Sequence, residues 1–183
     1  SNIGLPGFWP HAALYIGTAR DRQAFFAEPE VVAWVRGQGQ PSGDFEGLLS
    51  SRYPSAYALS LKPQEHQRLP RILEAVSEGV SFSTIEHSAD ADAVAVLRPR
   101  LPKREKAAAL LRAIHYAGRP YDFNFDFATD AALVCTEVVY KAYEPAQALR
   151  GLQFPLVEVL GRKVTPANEM VRHMTVERAS SSV

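Results

Sequence analysis

Between residues 103 and 117 the apolar positions Ala108, Leu111 and Ile114 return every three or four places, with Lys103, Arg104 and Lys106 off that stripe. The spacing predicts an amphipathic helix, stopped by Gly118, Arg119 and Pro120. A second helical run opens at Val134, where Val134, Val138, Val139 and Ala142 recur at the same period. It is predicted to run on to about residue 149, with Asp130 placed just upstream as a cap. Elsewhere the pattern alternates with period two. Residues 11–16 read as a short strand closed by Gly17, with His11, Ala13 and Tyr15 on one face and Ala12, Leu14 and Ile16 on the other. Residues 71–82 read as two strands around a tight turn at Glu78 and Gly79. Residues 56–61, 93–98 and 154–160 also read as strands. Short helices are expected over 30–35 and 44–51, a short helix or turn over 63–69, a loop over 84–92, and a last short element after 164–170. The sum is α+β, with helices set apart from a mostly antiparallel sheet or small barrel.

Composition narrows the class without choosing a function. The 183 residues suit one domain with a sizeable core. Lys plus Arg and Asp plus Glu number 20 each, so no basic excess points to nucleic acid or an anionic membrane. No apolar run approaches the roughly 20 residues that span a bilayer. The chain opens at Ser1 without a Met, which reads as a trimmed end. A single cysteine, Cys135, excludes an internal disulfide and a multi-cysteine zinc site. His66, His87, His115 and His173 have no partners at metal-ligand spacing, and the GQGQPSG stretch lacks the lysine of a phosphate loop. No metal and no cofactor is expected.

Cys135 falls where an aromatic, turn-rich segment gives way to the second helix. In a first turn, unpaired N–H groups and the positive helix end favour the thiolate, the nucleophilic form. The other reading is a small apolar residue buried on a helix face, and on this segment alone it stands first. His11 likewise reads as a base or as a hydrogen-bonded structural histidine. Glu74 reads as a partner for that base or as a solvated strand residue. Glu137 lies two places past the cysteine, pointing away from it, and is expected to pair with a basic side chain. Asp122 and Asp126 read as turn and capping residues.

Three stretches in this order, PGFWPHAALYIG, ILEAVSEGV and YDFNFDF…VCTEVVYKAY, resemble the YiiX-like branch of the NlpC-type papain-like cysteine hydrolases. GRKVTPANEM at 161–170 is a fainter echo. In that branch the papain order is circularly permuted, so the histidine strand precedes the cysteine helix. The resemblance implies a permuted papain-like fold with the catalytic cysteine at a helix N-terminus. It implies Cys135 as nucleophile, followed by Thr136 and Glu137; His11 as base, with Tyr15 and Gly17 following; and Glu74 as the orienting carboxylate. Tyr15, Tyr121 and Thr136 become candidates for lining the cleft or meeting the oxyanion. The family's Gly-Asp-Ile strand has no counterpart ahead of His11, so an N-terminal strand is read as missing. Residues 18–70 are longer than a simple link and are read as a lid or insertion within a single domain, 1–183.

The function implied is hydrolysis of an amide bond, such as a cell-wall peptide or isopeptide in bacteria, or of an ester, through a thioacyl intermediate. Transfer of the acyl group to lipid-like acceptors is the alternative, and would call for a hydrophobic cleft of Phe8, Trp9, Phe25, Phe26 and Trp34. A binding module without turnover is the third reading, and would leave His11 out of reach of Cys135. The expected partners are a small peptide, amide or lipid-like substrate, with no nucleic acid and no stable membrane insertion. The compartment stays open between bacterial periplasm or envelope and cytoplasm, and the oligomeric state stays open too.

Overall fold

A computed structural model describes residues 8–121, 134–146, 149–159 and 162–180. The period-two stretch at the N-terminus supplies β1 (Leu14–Tyr15), with Leu14 and Ile16 buried and His11, Ala13 and Tyr15 exposed. It pairs antiparallel with β2 (Ile72–Val76), Leu14 opposite Leu73. β2 turns at Ser77 and Glu78 into β3 (Gly79–Ser83), giving an open sheet in the order β1-β2-β3. Gly79 has φ +113°, and a Cβ there would collide with the carbonyl oxygen of Arg119. Only glycine takes that backbone angle cheaply. The close approach is used: Val80 donates to Arg119 and accepts from Gly118, each at 2.7 Å.

Between β1 and β2 lie four helices, α1 (Ala19–Phe25), α2 (Pro29–Gly37), α3 (Phe45–Arg52) and α4 (Pro54–Leu61). Thr18 and Asp21 cap α1 reciprocally, and the Asp44 carboxylate caps α3. Residues 56–61 are therefore helical, contrary to the strand expected from their alternation. Pro54 sits in the first turn, where its fixed φ and missing N–H suit a helix, and Ala and Leu are strong helix formers. These helices are part of the main core. Phe26, Val31, Phe45 and Leu49 pack in one cluster with Leu73 and Phe82 of the sheet and Leu110 and Ile114 of α6 (Lys103–His115).

A short helix, α5 (Ile85–Ser88), occupies part of the stretch expected to be a loop. The strand expected over 93–98 is absent. Those residues have no regular structure, and Val96 is 87% exposed. Alternation marks a strand only when a neighbour pairs with it and covers one face, and none does here among the described residues. The cysteine helix, α7 (Cys135–Tyr143), ends six residues early because Pro145 pushes Glu144 to extended backbone, φ −55° and ψ 141°. Val138 and Ala142 of α7 face the main core. Its Val139 and Tyr143 pack on a second cluster of Leu101, Leu152, Phe154 and Met170. β4 (Val157–Val159) and β5 (Arg162–Val164) form a separate antiparallel pair, shorter than the strand expected over 154–160, and α8 (Ala167–Ser180) follows. The turn expected at Gly161, the cap Asp130, and Asp122 and Asp126 lie outside the described residues. Among the described residues no helix is long and apolar enough to cross a membrane.

Candidate active site

The β1–β2 register sets the backbone just before β1 beside the middle of β2. His11 there meets Glu74 of β2, its Nε2 2.7 Å from the carboxylate Oε2. The imidazole is 37% exposed, whereas the Glu74 side chain is 4% exposed. Asn168 of α8 holds the segment that delivers the histidine. Its Oδ1 accepts from the N–H groups of Phe8 at 3.0 Å and Trp9 at 3.2 Å, and its Nδ2 donates to the Trp9 carbonyl at 3.4 Å.

Cys135 is the first residue of α7. With Nε2 engaged by Glu74, Nδ1 is the ring nitrogen left to face the thiol, on which the imidazole acts through hydrogen bonding and charge. The backbone N–H groups of Ala12 and Thr136 act on the thiol in the same direction. Burial is the largest single influence on the thiol and pushes its pKa up, yet the bond to His11, the imidazolium charge and these two N–H groups together hold it below the usual thiol range. On His11, burial acts first and pulls the pKa down. The hydrogen bonds to Cys135 and Glu74 and their negative charges outweigh it, raising His11 to about 10. Burial pushes Glu74 upward, but hydrogen bonds from His11, Ser83 and Ser88 and the His11 charge bring it below the ordinary carboxylate value. Both shifts run in the direction that favours a thiolate beside an imidazolium.

The other candidates fall variously. Thr136 is buried and offers its backbone N–H to the sulfur. Tyr15 is exposed on the His11 face of β1. Tyr121 packs half-buried against the main core. Glu137 is fully buried on α7. The five-aromatic cleft is not assembled. Phe26 is core, Phe25 lies under the ammonium group of Lys103, and Trp34 lines a separate cavity with Tyr53, Arg52, Arg104 and Arg112. Phe8 and Trp9, just upstream of His11 in the chain, form an edge-to-face pair 4.7 Å apart. Among the described residues no group of three or more His, Cys, Asp or Glu could hold a metal ion.

Sequence reasoning missed Ala12, Ser83, Ser88 and Asn168. Asn168 stands within the faint echo at 161–170, where it had no assigned role. The serines lie in a stretch whose period carries no sign of their target.

The strand expected over 11–16 is confined to Leu14–Tyr15, and His11 stands just ahead of it. An α+β fold in which the histidine stretch and its strand precede the cysteine helix defines the permuted papain-like class. Residues 2–182 match the family described as permuted papain-like amidase enzyme, YaeF/YiiX, C92 family, and the chain belongs to that family. No curated protein and no solved structure matches the chain significantly. The family's amidases place the chain among cysteine hydrolases of amide bonds.

Proposed function

We propose that this protein cleaves a peptide-type amide bond through a thioacyl intermediate on Cys135, with His11 as general acid and base and Glu74 orienting it. The observation that carries the reading is the His11 imidazole bonded at 2.7 Å to the buried Glu74 carboxylate, with the Cys135 thiol and His11 each shifting the other's pKa. The thiolate attacks the carbonyl carbon. The resulting oxyanion lies near the N–H of Cys135, a first-turn donor for which the described residues supply no backbone acceptor. Nδ1 of His11 gives its proton to the leaving nitrogen as the C–N bond breaks. The neutral imidazole then takes a proton from water, hydroxide adds to the thioester, and collapse releases the acid and restores thiolate and imidazolium.

The α1–α4 helices, packed into the core, act in this reading as a fixed wall of a single domain, not as a lid. A cell-wall peptide or isopeptide is the substrate class proposed. Acyl transfer to lipid-like acceptors loses support from the dispersed aromatic side chains, and a silent binding module loses it from the His11–Cys135 bond.

Two results test the reading. p-Nitrophenyl acetate is expected to release a burst of p-nitrophenolate and leave one acetyl group on Cys135, detected by mass spectrometry, while Cys135→Ala gives neither. A burst that survives in Cys135→Ala rules out the thioacyl route. Glu74→Gln removes an anion that raises His11, so the imidazolium is lost at lower pH. The basic limb of kcat/KM for the ester is then expected to fall from about 10 toward the ordinary histidine value near 6.5. The acid limb should rise, because a His11 no longer held by the Glu74 carboxylate is less firmly aimed at the thiol. An unmoved profile removes Glu74 from the mechanism.

A further inference from the structure

Glu74 is buried, and its carboxylate meets three donors. His11 Nε2 lies 2.7 Å from Oε2, Ser88 Oγ donates to the same oxygen at 3.0 Å, and Ser83 Oγ donates to Oε1. The chain goes to some length to bring both serines there. Glu74 lies opposite Ser81 in the β2–β3 register, so Ser83, two residues on, sits diagonally on the same face. β3 ends at Ser83. The Thr84 hydroxyl then caps α5 by accepting from the His87 N–H at 3.2 Å, and this single turn carries Ser88, its last residue, back over the carboxylate.

We propose that Ser83 and Ser88 are positioning residues of this site, keeping the Glu74 carboxylate ionised and its Oε2 aimed at His11. The proposal rests on the reading of Glu74 as the group that orients His11. An ionised carboxylate has no proton to give, so both hydroxyls must donate, and two fixed donors stop it rotating away from the imidazole. They also favour its charged form, which keeps in place the acceptor that aims His11. His11 is the ionisable side chain acting on Glu74, and Cys135 and Glu74 are the two acting on His11. The chain of effect therefore runs from the serines through Glu74 and His11 to the sulfur.

The sole cysteine makes this measurable without a substrate. Iodoacetamide alkylation of Cys135 is followed against pH by mass spectrometry in the parent, Ser83→Ala, Ser88→Ala, the double variant and Glu74→Gln. Each serine change is also made in the Glu74→Gln background, and melting curves verify folding. At the parent's midpoint pH the rate is expected to fall about threefold in each single variant and about tenfold in the double, the lower end of the scale of one net hydrogen bond apiece, since the serines act on the sulfur only through Glu74 and His11. Ser88→Thr, which keeps the hydroxyl, is expected to restore the parent profile. In the Glu74→Gln background the serine changes should add nothing, since their target is gone.

Serine variants that titrate like the parent, while Glu74→Gln shifts the profile, overturn the proposal and leave the reading of Glu74 intact. An equal serine effect in both backgrounds also overturns it, because the path then avoids Glu74. A Glu74→Gln profile identical to the parent removes the reading of Glu74 and the proposal with it. If Ser83→Ala does not fold, Ser88→Ala, on the outer turn, carries the same test.

Discussion

His11→Ala is expected to move the alkylation midpoint of Cys135 from below the usual thiol range up to about 8.5, the value of a free thiol. The imidazole is the chief influence lowering the thiol, through both its hydrogen bond and its charge, and alanine removes both. Burial then acts on the sulfur with less to oppose it, so the midpoint can settle higher still. The Ala12 and Thr136 N–H groups remain, but neither carries a full charge. The midpoint is the diagnostic, not the rate at one pH, because a more basic thiolate is also a better nucleophile and partly offsets its scarcity. Hydrolysis has no such offset. With no group to protonate the leaving nitrogen, kcat/KM on an amide is expected to fall by roughly 10² to 10⁴. A variant that keeps the parent midpoint would separate the histidine from the sulfur and sink the proposed mechanism.

How much of this was legible depends on whether a signal was local. The helix at Lys103–His115 and the alternation at 11–16 arise within one element, from spacing and burial alone. The order of the histidine, glutamate and cysteine stretches carried the family resemblance, although no spacing among positions 11, 74 and 135 could show that they meet. Residues 56–61 and 93–98 failed for one reason: short alternating runs take their structure from their surroundings. The first is fixed as helix by Pro54 and tertiary packing, and the second has no strand to pair with among the described residues. Ser83 and Ser88 look like ordinary polar residues in a serine-rich stretch, and only the β2–β3 register and the turn of α5 aim them at one carboxylate. Arg22 and Glu46 gave no sign either. Arg22 lies in a helix, Ala19–Phe25, that the spacing did not reveal, and nothing in the order of residues pairs it with Glu46 of α3, 24 places on.

That pair supports the second large prediction. Arg22 is 2% exposed, yet every arm of its guanidinium is used. Nε donates to Glu46 Oε1 at 2.8 Å and Nη2 to Oε2 at 2.7 Å, while Nη1 donates to the Gly17 carbonyl at 2.9 Å, at the end of the histidine strand. The pKa of nearby Tyr57 is raised by burial and by the Glu46 carboxylate. Arg22→Ala leaves Glu46 buried beside Tyr57 with no cation and frees the Gly17 carbonyl. Breaking one partner of such a pair costs about 3–5 kcal/mol, a large fraction of a typical domain's 5–15 kcal/mol. Guanidinium unfolding is expected to show a lower midpoint with unchanged slope. Replacing both residues, Arg22→Met with Glu46→Leu, should recover most of the loss, because no charge is then stranded. A loss below about 1 kcal/mol in Arg22→Ala would mean that the pair is hydrated as a surface salt bridge is, and that α1 and α3 do not clamp the end of β1.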